Sequence, residues 1–298
     1  MSLTVSLALT ALGGVFYKYD RSQKFMVDPK SSVGWAHVKE GLYKDEIGRI
    51  NTRVINIATN FTQDFMKSSP WWYPIRGFEH FIQNRKTYLK SAMGFMGLYL
   101  FSFAFILILF WITISPIYLT FFIMLGPFGV WLATIHSFLQ ANVFTMMFVR
   151  LINPSNSLVF QCLTLKKYTK IKLVAPIRYY VPITTTYFWI YHLPMKIGKY
   201  AIISILFIIQ LSLSFIPIIG PFLFQMSISP YIGKIYLTRI LRLQHLNNLQ
   251  RKERFYNHFG LFVSFGITAA LLETIPFLSG VAVSTNYIST GLWLIDNY

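Results

Sequence analysis

The sequence predicts an all-α integral membrane protein, in which long apolar helices alternate with proline-broken re-entrant hairpins and interfacial amphipathic helices. Composition is the first observation behind this prediction. The 298 residues are 54% hydrophobic and only 12% charged, with a mean hydropathy of +0.50, whereas a soluble domain carries about a quarter charged residues. The second observation is that apolar residues form long segments, and the third is that prolines interrupt these segments.

The basic residues divide the chain into alternating polar and apolar parts. The net charge is +17, and all 27 Lys and Arg residues fall in segments 17–90, 150–199 and 231–258, which hold 13, 8 and 6 of them. The positive-inside rule places these three segments on one side of the membrane. Each apolar region between them therefore either crosses twice or dips in and returns, and the charge pattern leaves both open. We expect anionic membrane lipids as partners and no nucleic acid, because no basic run joins a nucleic-acid-binding motif.

Residues 1–90 are predicted to form a cytosolic and interfacial N-terminal region. Apolar residues recur at three- and four-residue spacing over residues 35–65, which predicts an amphipathic helix there. Tryptophans and tyrosines favour the membrane interface, so the aromatic-rich segment 71–90 is expected to lie along it. The Asn60 glycosylation sequon is expected to stay unused on the cytosolic side.

Residues 91–298 are predicted to form a helical membrane domain. Its apolar segments cover residues 91–114, 117–149, 200–229 and 259–283. The first two are long enough to span, since a spanning helix needs about 20 apolar residues. A proline breaks each apolar region, because proline lacks a backbone donor and clashes with the preceding turn. These breaks lie at Pro116, at Pro217 with Pro221, and at Pro276.

The segment from Lys199 to Pro230 is expected to be the element around which the chain is organised. After Lys199 it contains no charged residue, and Pro217, Gly220 and Pro221 interrupt it near the middle. The limb before the break is long enough to reach deep into hydrocarbon, but the limb after it is too short to cross back. We therefore predict a re-entrant hairpin with both ends on the basic side.

Three polar residues stand within the second apolar segment. His136 and Gln140 are one turn apart and face the same side of a helix, and Asn142 is close by. Polar groups inside a membrane are costly and therefore mark candidate functional sites. The interpretation we favour is that all three form hydrogen bonds to neighbouring helices.

Glu273 is the one acidic residue inside an apolar segment. It could bind a cation, relay protons or pair with a basic residue. We favour a structural role, in which its carboxylate caps the backbone groups that Pro276 leaves unpaired.

The sequence contains no pattern typical of an enzyme active site. Nucleophile elbows, zinc-binding helices, phosphate loops and dinucleotide fingerprints are all missing, and the six histidines are scattered without metal-ligand spacing. The single cysteine, Cys162, excludes an internal disulfide. We therefore expect a protein that is not an enzyme and has neither a cofactor nor a metal. A lipid-modifying enzyme, which only His136 and the membrane setting favour, is the weakest alternative.

Three short motifs, in this order, carry a family resemblance. They are Tyr73-Pro74-Ile75-Arg76-Gly77, Ile216-Pro217-Ile218-Ile219-Gly220-Pro221, and Glu273-Thr274-Ile275-Pro276 with Asn286, Gly291-Leu292-Trp293 and Asp296. The chain thereby resembles the etoposide-induced-protein/CysZ-like superfamily of membrane proteins. Its ending is similar to the fungal branch, which includes outer spore wall proteins found on lipid droplets, although Gly291 stands where that branch usually has alanine. The resemblance implies a helical fold with partly penetrating helices.

The resemblance also implies two functions. The fungal branch implies a protein of lipid droplets and the endoplasmic reticulum that acts in outer spore wall assembly, at the prospore membrane during sporulation. The bacterial members, associated with sulfate uptake, imply the alternative of an anion transporter or channel, for which helix N-termini at the Pro217–Pro221 break could hold the anion. Polar residues on one face only would suit the monolayer of a droplet, because hydrated loops on the other face could not enter oil.

Overall fold

Helices stop at the predicted breaks near Pro116, Pro217 and Pro276 in the computed structural model, which describes residues 25–28, 43–152, 156–168, 178–244, 246 and 248–297. In chain order the helices are α1 (Tyr43–Met66), α2 (Ser68–Gln83), α3 (Arg85–Thr113), α4 (Ser115–Phe122), α5 (Pro127–Ile152), α6 (Asn156–Leu165), α7 (Leu193–Leu213), α8 (Ile219–Ser227), α9 (Ser229–Leu243), α10 (Asn248–Asn257), α11 (Phe259–Thr274) and α12 (Leu278–Asn297). A 3-10 turn (Ile123–Leu125) precedes α5, and a π-helical turn (Phe188–His192) precedes α7. The start of the predicted amphipathic helix, before Tyr43, lies outside the described residues.

One short element departs from the predicted all-helical pattern. Strand β1 (Phe25–Val27) pairs in parallel with strand β2 (Arg178–Tyr180), and Met26 lies opposite Tyr179. Aromatic and β-branched residues favour extended backbone, and the pair joins two otherwise distant basic segments. It does not alter the helical class of the fold.

Within the described residues, three helices are long and apolar enough to cross a membrane, by length and composition. They are Arg85–Thr113, Pro127–Arg150 and Phe188–Leu213. A bent pair, Leu249–Asn257 with Phe259–Thr274, turns by 80° and would raise the number to four if it formed one span. The predicted class, with long apolar helices, broken hairpins and amphipathic helices, is therefore confirmed.

The helical pair α11–α12 occupies the centre of the structure. Helix α12 packs against α2, α3, α6, α9 and α11, and α11 packs against α1, α2, α8 and α9. Nearly all of α12 is buried, because its Ser, Thr, Gly and Ala side chains let neighbouring backbones approach closely. The expectation that Lys199–Pro230 organises the chain is therefore wrong: no residue of α7 is buried, and that helix lies at the periphery.

The two later helix breaks lie level with the midpoints of the two earlier long helices. The backbone N–H of Phe277, between α11 and α12, donates to the hydroxyl of Tyr99 over 3.2 Å, and Tyr99 is the central residue of α3. Ser214, between α7 and α8, accepts from Gln140 in the middle of α5. Since α3 is about 43 Å long, the α11–α12 hairpin turns about 21 Å along it.

The amphipathic segments pack more closely onto the centre than the sequence predicted. Helix α2, expected to lie along the interface, buries Tyr73, Pro74 and Gly77 in its contact with α12. The basic segment 231–258 forms two helices, α9 and α10, and α9 packs its apolar side against α11. Trp72 remains exposed, as an interfacial residue would.

Candidate functional site: a buried ion pair beside the helix breaks

A buried ion pair joins α5 to α11. The Nε of Arg150 donates to Oε2 of Glu273 over 2.8 Å, and Nη2 of the same guanidinium also donates to Oε2. Arg150 is 5% exposed and Glu273 is 0% exposed. Isolated charges are costly away from water, so each residue here requires the other.

The remaining partners of this pair come from three further helices. Oε1 of Glu273 accepts from the hydroxyl of Tyr236 on α9 and from the side-chain amide of Asn286 on α12. Nη2 of Arg150 also donates to Oε1 of Gln225 on α8, over 3.2 Å. The pair therefore ties α5, α8, α9, α11 and α12 together, and charge-assisted hydrogen bonds of this kind are the strong ones.

Asn142 and Tyr99 satisfy the backbone at the Pro276 break. The last carbonyls of α11 lack helical partners, and the side-chain amide of Asn142 donates to those of Glu273 and Thr274, each over 3.0 Å. Tyr99 in turn donates to Oδ1 of Asn142 over 2.8 Å. The expectation that the Glu273 carboxylate caps this break is therefore wrong, because that carboxylate points to Arg150. Pairing with a basic residue is the alternative that the geometry favours.

His136 and Gln140 hold the break between α7 and α8. The backbone N–H of Ile218 donates to Nδ1 of His136 over 3.3 Å. Gln140 donates to Oγ of Ser214 over 3.1 Å and accepts from the hydroxyl of Tyr118, on α4 just after the Pro116 break, over 2.8 Å. The Ile218 N–H, one of those predicted to hold an anion at this helix N-terminus, therefore already has a partner in the protein.

Pro217, Gly220 and Pro221 shape the break itself. Pro221 lies in the first turn of α8, where a missing N–H costs little. A Cβ added to Gly220 would lie 2.6 Å from the carbonyl oxygens of Leu213 and Ser214. Only glycine therefore lets α8 start so close to the end of α7.

The first and third sequence motifs meet where α2 packs on α12. Arg76 forms a 2.7 Å ion pair with Asp296, to which the Tyr73 hydroxyl also donates over 3.2 Å. A Cβ on Gly77 would lie 2.4 Å from the carbonyl oxygen of Thr285. The second motif stands apart from this contact, at the α7–α8 break.

The other predicted motif residues also lie on α12. A Cβ on Gly291 would lie 3.0 Å from the Cβ and Sγ of Cys162 on α6, and Trp293 is buried. Burial raises the pKa of the Cys162 thiol to about 11, so it stays protonated and unreactive at neutral pH. Among the described residues, no group of three or more His, Cys, Asp or Glu side chains could hold a metal ion.

Sequence reasoning missed Arg150, Tyr236 and Gln225. Arg150 was counted with the basic segment 150–199, although Val149 and Leu151 flank it. An arginine between apolar residues, together with a lone intramembrane acid, is the signal that could have suggested the pair. Tyr236 and Gln225 carry no such signal.

The long apolar helices are exposed on the outside, and polar side chains form hydrogen bonds at the helix breaks inside. This arrangement is that of a helical integral membrane protein. The chain is 41% identical over 299 residues to Outer spore wall protein LDS1 of Saccharomyces cerevisiae, covering 100% of this chain and 92% of that protein. It is also 29% identical to Outer spore wall protein RRT8 of the same yeast over 277 residues, which cover 84% of this chain and 79% of RRT8. With Outer spore wall protein LDS2 it shares 30% identity over 82 residues, or 27% of this chain and 23% of LDS2.

The chain therefore belongs to the family of outer spore wall proteins that includes LDS1. This confirms the predicted resemblance to the fungal branch, whereas membership of the wider CysZ-like superfamily stays a prediction. No protein-family model and no solved structure matches the chain.

Proposed function

We propose that this protein is a non-enzymatic membrane protein that acts in the assembly of the outer spore wall. The observation that carries this proposal is the 41% identity to LDS1 over the full chain. The helical membrane fold fits a role in which the protein works from a membrane toward a wall laid down outside it.

The proposed location is the endoplasmic reticulum and the surface of lipid droplets, with the prospore membrane as the site of action in sporulation. The support is the chemistry of the hairpin tips. Met124 and Phe128, at the turn between α4 and α5, are 91% and 70% exposed, and Phe215 and Phe277 at the other two breaks are more than half exposed. Large apolar side chains at every tip favour an end in hydrocarbon over an end in water.

The length of the first hairpin also favours a droplet. Helix α3 is about 43 Å long, whereas the hydrocarbon core of a bilayer is about 30 Å thick. A hairpin held upright in a bilayer would push its apolar tip into the far headgroups. The oil core of a droplet has no far leaflet, so the tip stays in oil.

Flotation tests the location. The chain is tagged at its C-terminus, expressed in yeast with and without neutral-lipid synthesis, and separated on a density gradient. We expect it in the droplet fraction only when neutral lipid is made. Met124→Lys should remove it from droplets, because a charge at the tip would enter oil, and the matched control Ile82→Lys, on the polar side in α2, should not. Recovery of all forms in the bilayer fraction of both strains would contradict the droplet location.

Complementation tests the role in the spore wall. The chain is expressed in yeast that lacks LDS1, RRT8 and LDS2, and the outer layer of the spores is examined by electron microscopy. We expect the chain to restore this layer. An outer layer that is normal without any of these proteins, or one that the expressed chain leaves defective, would contradict the proposal.

The anion-transport alternative makes a different prediction. If the chain carried sulfate, reconstituted vesicles would show sulfate flux that depends on His136 or Glu273. Under the proposed function we expect no flux above that of empty vesicles, so sulfate flux through vesicles that contain the unaltered chain would favour the transporter.

A further inference from the structure

Four helices bring basic side chains together at one end of α7. Arg53 on α1, Lys199 on α7, Lys234 on α9 and Lys252 on α10 form what we call the cationic cluster. Helix α10 packs against both α1 and α9, and burial, together with the charges of Lys199, Lys252 and Arg53, lowers the pKa of Lys234 to about 8. The four residues are spread along nearly 200 positions of the chain, so the fold rather than the sequence assembles the cluster.

Aromatic rings hold two of these cations in place. Nζ of Lys234 lies 4.2 Å from the ring centroid of Phe255, and the guanidinium carbon of Arg53 lies 5.1 Å from that of Tyr256. Such cation–π contacts fix the positions of the charges. Glu46 offsets part of the charge, at 3.8 Å from Arg53, and the electrostatic effects on Lys234 all come from cations. Like charges held together destabilise a fold unless an anion joins them.

The surface next to the cationic cluster is the apolar helix α7, in which no residue is buried. Lys199 stands in the second turn of α7, and Ile202, Ile205 and Ile209 follow it, each more than half exposed. These three isoleucines recur at three- and four-residue spacing after Lys199, so they form one stripe on a helix whose other faces are also exposed. A ligand that fits both surfaces has a negatively charged head and a hydrocarbon tail.

We propose that the cationic cluster binds a membrane lipid with a phosphomonoester headgroup, whose acyl chain lies along the exposed stripe of α7. A phosphomonoester carries about −1.5 to −2 charges at neutral pH, which suits this local excess of cations better than the single charge of a phosphodiester. The proposal rests on the membrane residence of the chain but not on its role in the spore wall.

The test measures lipid binding to the purified full-length chain in detergent, by native mass spectrometry and by thermal unfolding. The probes are dioleoyl phosphatidic acid, phosphatidylserine, phosphatidylcholine and soluble glycerol 3-phosphate. We expect phosphatidic acid to bind most tightly and to raise the unfolding temperature, and glycerol 3-phosphate to bind far more weakly because it lacks the tail.

Variants separate this site from general surface charge. Lys234→Met and Lys252→Gln should each weaken phosphatidic acid binding about fivefold, as expected for one lost basic contact. The matched control Lys86→Gln/Lys90→Gln removes two exposed charges at the start of α3 and should leave binding unchanged. In the absence of lipid, Lys234→Met should raise the unfolding temperature, because it removes a repelled charge.

Four outcomes would overturn the proposal. Equal binding of phosphatidic acid and phosphatidylserine would indicate charge attraction alone, and an equal loss in the α3 control would indicate no defined site. Binding of glycerol 3-phosphate as tight as that of phosphatidic acid would assign the cluster to a soluble phosphate. A lower unfolding temperature of Lys234→Met without lipid would make Lys234 a packing residue. Spore wall complementation is read separately, so failure here leaves that test intact.

Discussion

Arg150 and Glu273 lie 123 positions apart in the chain and depend on each other inside the structure. A buried ion pair does not by itself make a protein stable, because both charges lose their hydration, but removal of one partner leaves the other uncompensated. Glu273 also accepts hydrogen bonds from α9 and α12, and Arg150 donates one to α8. Its role at this scale is to specify one arrangement of five helices.

Removal of both charges should therefore cost less than the two single removals added together. We expect Glu273→Gln to reduce the free energy of unfolding by about 3–5 kcal/mol, and Arg150→Met/Glu273→Gln to reduce it by less than the sum of the single changes. Denaturant unfolding in mixed micelles measures this. Arg49→Gln, in the exposed pair with Glu46, is the control and should cost about 1 kcal/mol or less. Additive losses would mean that the pair is not coupled.

Glycines decide how closely α2 packs on α12. Gly77→Ala should destabilise the protein, because the added Cβ would lie 2.4 Å from a backbone oxygen that cannot move aside. Gly94→Ala on α3 is a matched control, since nothing lies within 4 Å of its added Cβ, and it should stabilise by about 1 kcal/mol through helix propensity. Thermal unfolding compares the two variants. Equal effects would argue against close α2–α12 packing.

At the scale of elements, side chains of α5 form hydrogen bonds at or beside all three breaks in the apolar helices. On one side of α5, His136 and Gln140 form hydrogen bonds with residues of the α7–α8 break. Gln140 also accepts a hydrogen bond from Tyr118 near the start of α4. Asn142 on the other side bonds the α11–α12 break. Each break leaves backbone groups unpaired where water is scarce, so a single helix with polar residues on two faces satisfies several hairpins.

The approach of α7, α9, α10 and α1 should make stability depend on pH. The folded-state pKa of Lys234, about 8, lies below the ordinary 10.5, so between these values the unfolded chain holds a proton that the folded protein has lost. Stability should therefore rise as pH increases from about 8 toward 10.5. Unfolding temperatures over this range should rise less in Lys234→Met, whereas Lys86→Gln should behave like the unaltered protein. A flat profile in the unaltered protein would contradict this sign.

For the whole molecule, exposed polar groups and exposed apolar groups lie on different elements. The ion pair of Arg76 with Asp296 joins α2 to the end of α12, and both side chains are at least one-third exposed. The hairpin tips at Met124, Phe215 and Phe277 are apolar and exposed. Apolar side chains exposed at the hairpin turns, together with a partly exposed ion pair between α2 and α12, suit an interface between water and oil.

This arrangement predicts one-sided labelling. With Cys162 buried, a cysteine at position 124 (Met124→Cys) should stay unlabelled by a water-soluble maleimide from either side of isolated membranes. The control Ile82→Cys, exposed on α2, should be labelled from the cytosolic side. Labelling of position 124 from the lumenal side would indicate that the first hairpin crosses a bilayer fully.

The sequence by itself determined the membrane class, the approximate limits of the apolar helices and the places where they break. These properties are local: hydropathy depends on composition, and a proline interrupts a helix because of its own missing donor. The polar candidates His136, Gln140, Asn142 and Glu273 were found for the same reason, since a polar residue in an apolar run is visible without a structure.

Only the tertiary structure decided which of these groups meet. Glu273 faces Arg150 rather than the Pro276 break, Asn142 takes the capping role, and α11–α12 rather than Lys199–Pro230 lies at the centre. These outcomes depend on how closely helices approach, which small residues such as Gly77 and Gly291 set through contacts distant in sequence. The cationic cluster likewise depends on residues of four separate helices, which no local sequence pattern indicates.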